Sequence, residues 1–207
     1  MRPNNREKYG PESIIKIINK FLGGDAVTKA GLQEFDIPSG SNFNILDAGS
    51  GGAVLSKNKN ALKVFSLDKN KGACRYLRKH NSGGIPVCAD VKALPFKLKS
   101  IDIIHASLFL HHFNEAEVVN ILRSFLEVSR KGIIINDLRR SLLAYLGIRF
   151  LTVFLSRSEM VKHDGPLSVR KGFKYNELKE MMSKLNVSNY SIKRKWAFRW
   201  LLIIKNK

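Results

Sequence analysis

From residue 43 onward the chain alternates short, branched apolar runs with stretches of helical periodicity. That order is met by parallel strands joined through crossover helices. The apolar runs fall near 43–48, 62–67, 85–89, 101–107 and 132–137, and helices are predicted near 53–60, 70–80 and 114–130. Asn114 and Glu117 have capping-box spacing, and Lys131-Gly132 reads as the end of that third helix. The connection over 91–99 is mostly loop. A further helix over 139–157 is apolar around most of its circumference, with a polar stripe at Ser141, Tyr145, Arg149, Thr152 and Ser156, so it is either deeply packed or in contact with something apolar. The chain closes with a helix near 174–185 and two strand-like runs, 188–196 and 198–205, that can pair as a hairpin. Upstream, Gly10-Pro11-Glu12 opens a helix with Ile14, Ile15, Ile17, Ile18, Phe21 and Leu22 on one face; Gly23-Gly24 ends it, and Asp25 is placed to cap a second short helix reaching about Phe35. Pro38 and Gly40 then separate residues 1–40, an N-terminal helical cap over the site, from an α/β domain over 41–207.

The composition supports one sizeable core: 44% of the 207 residues are apolar, which excludes a disordered or low-complexity chain. Cys74 and Cys88 are the two cysteines and form no CxxC, so neither a disulfide framework nor a structural metal is expected. The start, MRPNNREKYGPESI, lacks an apolar signal core, and the apolar stretch from Leu142 to Leu155 is interrupted by Arg149 and too short to span a bilayer. The expected location is the cytoplasm, with attachment to a membrane face left open.

The run Ile45-Leu46-Asp47-Ala48-Gly49-Ser50-Gly51-Gly52 is a buried strand entering a glycine turn ahead of a helix, where backbone N–H groups face any ligand at the strand end. Asp68 ends the second strand 21 residues after Asp47, where a carboxylate can accept both hydroxyls of an adenosine ribose and would repel the 2′-phosphate of NADP. NAD fits less well. Val54 stands at the third position of the dinucleotide fingerprint, and the negative Asp47 sits where a pyrophosphate would go. A cationic ligand would favour that aspartate.

At this point the residues resemble the class I S-adenosylmethionine-dependent methyltransferases. Asp47-Ala48-Gly49-Ser50-Gly51 resembles the family's D-x-G-x-G motif, Asp68 its acidic second-strand residue, and Asp90-Val91-Lys92-Ala93-Leu94-Pro95-Phe96 its D-x-x-x-L-P-F segment. The resemblance implies a Rossmann-like fold, with a mostly parallel seven-stranded sheet, helices on both faces and a terminal antiparallel hairpin. It further implies that Gly49 and Gly51 approach the methionine moiety with Ser50 between them, and that Asp47 helps hold its amine. Asp68 would bind the ribose, Asp90 with the Val91 N–H would read the adenine edge, and Ser107 would complete the cofactor set. Ser50 stands where many members have cysteine.

The methyl acceptor is expected at the carboxyl ends of the fourth and fifth strands. There, Leu110-His111-His112 resembles the L-H-H stretch of small-molecule methyltransferases, and the N/D-P-P-Y/F tetrad of amino-group methyltransferases is missing. Candidate bases are His111, His112, His163, Asp137 and Asp164, with His163 and His112 assigned the catalytic role. The segment from Asn136 through His163-Asp164-Gly165-Pro166 resembles a bacterial type 11-like subgroup acting on polyketide or other lipophilic products. That implies transfer to an oxygen or carbon of a small hydrophobic acceptor, such as a polyketide, phenol, quinone or lipid. The formal charge of +19 admits other partners: an anionic membrane surface, an acidic carrier protein or, less favoured, RNA. An RNA methyltransferase and a non-catalytic S-adenosylmethionine-binding partner protein are the competing readings. The cluster Lys193-Arg194-Lys195 beside Trp196, Phe198 and Trp200 interleaves charge with aromatics, and its rings are expected mainly in the core.

Overall fold

Seven strands pair in the order β3-β2-β1-β4-β5-β7-β6 in the computed structural model, which describes residues 23–37, 43–50, 62–79, 84–155 and 166–206. The strands are β1 (Phe43–Ala48), β2 (Leu62–Asp68), β3 (Ile85–Cys88), β4 (Ile101–Ser107), β5 (Ser129–Leu138), β6 (Tyr190–Lys195) and β7 (Arg199–Lys205). The first five run parallel, and β7 lies antiparallel to both β5 and β6. Helices α1 (Gly24–Leu32), α2 (Lys71–Lys79), α3 (Glu115–Val128), α4 (Leu142–Leu155) and α5 (Tyr175–Lys184) complete the described elements, together with a 3₁₀ turn at Leu110–His112 and a helical stretch over 166–171. The predicted helices over 53–60 and the first twenty-two residues lie outside the described residues.

The central strands are buried on both faces, which is why they read as continuous apolar runs. Successive residues point to opposite sides. Ile45, Ile103, Ile134 and Leu201 pack with Val27 of α1, while Leu46, Ile104, Ile133 and Leu202 pack with Phe125 of α3 and Met182 of α5. Each layer is stabilised by about 25 cal/mol per Å² of apolar surface it removes from water. The capping box of α3 is present: Glu117 N–H donates to Asn114 Oδ1 at 3.0 Å, and Asn114 N–H to Glu117 Oε2 at 2.9 Å.

Two boundary expectations change. Helix α3 ends at Val128, and Gly132 belongs to β5, where the β4 pairing jumps from Ile101↔Ser129 to Ile103↔Gly132. Gly132 has φ +149°, and a Cβ there would lie 2.1 Å from the Ile204 carbonyl oxygen, so this bulge requires glycine. At the other end of the chain Gly23 is the N-cap of α1, and Asp25 sits within the first turn, where its charge meets the positive end of the helix.

Cys74 of α2 is buried and its thiol donates to the Asp68 carbonyl at 3.3 Å, whereas Cys88 at the end of β3 is exposed. Burial, with the neighbouring Cys88, pushes the Cys74 thiol up to about 11. The thiolate is the reactive form. Alkylation of the native protein at neutral pH should therefore modify Cys88 and leave Cys74 until the chain is unfolded; mass spectrometry of the iodoacetamide-treated protein checks this.

Candidate active site

The strand order reverses between β1 and β4, and in an open sheet ligands bind in the crevice outside the carboxyl ends of the strands at such a point. Gly49 follows β1 with φ +69°, and the N–H groups of Gly49 and Ser50 both donate to the Leu67 carbonyl, at 2.9 and 3.1 Å. The glycine turn is thus stitched to β2 one residue before Asp68. From β4, Ser107 lies in register with Asn136, and Leu108 turns sharply at φ +50° with its N–H on the Asn136 carbonyl. That turn lays the Phe109 ring over Gly49, so closely that a Cβ there would sit 2.0 Å from the ring. Only glycine fits beneath it. Ser50 Oγ is buried and has no hydrogen-bond partner among the described residues, an orphan that a ligand would satisfy.

Asp68 is half-buried and accepts the Asn70 N–H at 2.8 Å, which opens α2. Asp90 is exposed and accepts the Lys92 N–H at 3.0 Å, so it also caps its own turn, and Val91 beside it is buried. Asp47, Gly49, Ser50, Asp68 and Ser107 therefore gather at adjoining strand ends, with Asp90 and Val91 following β3 at the next strand out. Gly51 lies outside the described residues.

What the sequence reading missed is the polar chain beneath this loop. Asp47 is only 6% exposed, and His105, its register partner on β4, meets Asp47 Oδ1 through Nδ1 at 2.8 Å. His105 Nε2 meets Thr28 Oγ1 of α1 at 3.0 Å; Asn136 Nδ2 donates to that hydroxyl at 3.1 Å and to the Gly24 carbonyl at 2.9 Å; and Arg199 donates to Asn136 Oδ1 at 3.2 Å. One tautomer satisfies the whole chain: Arg199 donates to Asn136, Asn136 to Thr28, Thr28 to Nε2, and the Nδ1 proton to Asp47. Every donor then points toward the carboxylate, and each bond polarises the next. A histidine in mid-strand and an asparagine ending an apolar run were the available signals.

On the opposite face Asp137 is fully buried. Its Oδ2 accepts the N–H groups of Phe109, Leu110 and His111 at 3.2, 2.8 and 3.3 Å, and its Oδ1 meets His111 Nδ1 at 2.7 Å and the Leu138 N–H at 2.8 Å. Burial opposes the charge, but the His111 imidazole and these N–H donors outweigh it and hold the carboxyl below its ordinary range. Asp137 is thereby an anchor for the 3₁₀ turn. His111 is buried against it, and His112 is exposed with its ring 4.2 Å from that of His111. His163 and Asp164 lie outside the described residues. A cavity of about 460 Å³ lined by Lys99, Leu126 and Asn206 sits at the opposite edge, where the parallel strands begin, and so lies away from this chemistry.

Residues 46–135 match the family described as "Methyltransferase domain", and the strand order, glycine turn and acidic strand ends agree with an S-adenosylmethionine-dependent methyltransferase. The fold is similar to that of the plantazolicin methyltransferase BpumL in complex with SAH (TM-score 0.69, 16% identity, 92% of this chain and 85% of that one). It is also similar to a SAM-dependent methyltransferase from Aquifex aeolicus (0.63, 13%, 95% and 99%) and to magnesium protoporphyrin IX methyltransferase from Synechocystis PCC 6803 with bound SAH (0.61, 12%, 93% and 85%). Among curated proteins nothing matches. The cofactor is S-adenosylmethionine, and the Gly49 turn, the Ser50 orphan and the adjoining acids fit it.

Thr28→Val removes the hydroxyl that feeds His105 and should weaken S-adenosylhomocysteine binding about tenfold, one hydrogen bond's worth, while Thr28→Ser restores it; titration calorimetry measures both. Asp137→Asn should cost about 3 kcal/mol at neutral pH. Because the native carboxyl lies below its unfolded value of about 3.9, its stabilisation is present above that pH and is lost as pH falls through the native pKa. Urea unfolding should therefore show the variant and wild-type curves converging below about pH 4.

Proposed function

We propose that the protein transfers the methyl group of S-adenosylmethionine to an oxygen or carbon of a small hydrophobic acceptor. The observation that carries this reading is the apolar rim of the crevice. β4 leaves into Leu108-Phe109-Leu110, and β5 leaves into α4, whose Leu142, Leu143 and Leu146 face outward instead of covering the sheet. Bound in the crevice, the cofactor supplies the electrophilic methyl group.

The residues of this chain would do the rest by holding and excluding. Asp47, oriented by His105, offers a fixed negative charge to an ammonium group. Asp68 offers a carboxylate to the ribose hydroxyls, and the Asp90 turn with Val91 forms an edge for the adenine. Ser50 Oγ and Ser107 complete the polar lining. Phe109 over Gly49 closes one side of the crevice to water. The acceptor's proton would pass to a base, and His163 is the first candidate, on the segment that follows α4. His112 is the second, held on the turn that Asp137 anchors.

With labelled S-adenosylmethionine and a panel of lipophilic phenols, quinols and polyketides, methyl incorporation should appear in at least one extractable acceptor. His163→Ala should then lower turnover about a hundredfold with S-adenosylhomocysteine affinity unchanged, and His112→Ala should have the smaller effect. Wild-type turnover in the His163 variant would discard that base.

One observation favours RNA as the acceptor instead. In β6 and its turn, Lys193 and Arg194 are exposed, and Trp196 is 79% exposed, whereas Trp200 is buried. Label retained in RNA and absent from every small acceptor would establish that reading.

A further inference from the structure

Beyond the end of β5, the chain lays a cationic pocket at the foot of an outward-facing apolar helix. The pocket, of about 270 Å³, is lined by Arg139, Arg140, Lys174 and Arg194 around Tyr175 and Trp200. Trp200 is its fixed floor: the ring is buried, its Nε1–H donates to the Phe173 carbonyl at 2.8 Å, and the Arg194 guanidinium lies 5.9 Å from the ring centre. Arg140 is held in place by bonds from Nε to the Gly172 carbonyl and from Nη1 to Glu177 Oε1, each 2.9 Å. Glu177 is thus already engaged, and Arg139, Lys174 and Arg194 line space large enough to admit a phosphate.

Directly after Ser141 comes α4. Leu142, Leu143 and Leu146 lie on one side of it and are 82%, 71% and 58% exposed, while Ala144 is its buried residue among 142–150. Apart from Arg149 the exposed side chains over 142–150 are apolar, unlike those of a helix that faces water, and α4 contains no acidic residue. Among the described residues no helix is long and apolar enough to cross a membrane. A helix of this kind lies in an interface, with its leucines in the acyl boundary and cations at the headgroups.

We propose that the protein docks on the anionic surface of a phospholipid bilayer, inserting the Leu142, Leu143 and Leu146 face of α4 while a headgroup phosphate occupies the Arg139, Arg140, Lys174 and Arg194 pocket. Charge selects this occupant over a second copy of the chain, because two bodies of formal charge +19 repel whereas an anionic leaflet attracts. It selects a lipid over RNA because exposed leucines gain nothing from a phosphodiester backbone. The proposal deepens the reading of a hydrophobic acceptor, since an acceptor dissolved in the bilayer would reach the crevice beside α4 without crossing water.

The test is flotation of the full-length protein, loaded with S-adenosylhomocysteine, with vesicles of phosphatidylglycerol and phosphatidylcholine or of phosphatidylcholine alone. The protein should float with the anionic vesicles and stay behind with the neutral ones. The double variant Leu143→Ser/Leu146→Ser should lower the partition coefficient about tenfold with S-adenosylhomocysteine affinity unchanged. Arg139→Ala/Arg194→Ala provides a second measure, with the same loss expected. No flotation with anionic vesicles overturns the proposal. So does flotation undiminished by either variant, which would mean that net charge alone attracts the protein, and so does a dimer that the leucine variant dissolves. The methyltransferase reading survives these failures, because cofactor affinity reports it separately.

Discussion

A carboxylate buried at the end of a central strand must be balanced by its surroundings, and the layout of this protein follows from balancing two of them. Asp47 and Asp137 both sit at the carboxyl edge of the sheet, shut away from water. Isolated burial of such charges would cost several kcal/mol each. Asp47 is balanced by a file of donors that begins at Arg199 on β7 and crosses β5, α1 and β4 to reach it. Asp137 is balanced locally, by the backbone of the turn it holds and by His111. One network fixes the charge beside the glycine turn, and the other fixes the turn whose Phe109 ring lies over Gly49.

The two networks stay separate because strands have a period of two. Asn136 and Asp137 are consecutive, so they must enter opposite layers. The first joins α1 to the glycine turn that follows β1. The second ties the exit of β4 to that of β5. Helix α1 is therefore part of the same polar core as the glycine turn, through Thr28 and the Gly24 carbonyl.

Much of this was legible in the sequence. Branched apolar runs gave strand positions to within a few residues because the central strands are buried on both faces, and the D-x-G-x-G turn and Asp68 lie, as expected, at adjoining strand ends. Where the reading slipped, as at Gly132, a bulge and close backbone contact used a glycine that local pattern assigned to a helix end. The polar file escaped notice for a different reason. Thr28, His105, Asn136 and Arg199 are ordinary residues taken singly, and only the pairing of strands and the docking of α1 bring them into line. The helix over 139–157 posed an alternative that periodicity could not resolve. Leu142, Leu143 and Leu146 are exposed, so deep packing does not describe that part of the helix.

The outermost position of β6 bears on the excess of positive charge in another way. An edge strand presents a row of unpaired backbone groups that another chain can extend, and lysine or arginine along such an edge is a common safeguard. In β6 that row carries Lys193, Arg194 and Lys195, with Lys193 tied back to Glu34 at 2.5 Å. Part of the basic character therefore serves the solitude of the sheet, keeping strangers from adding an eighth strand, independently of any ligand the remaining cations attract.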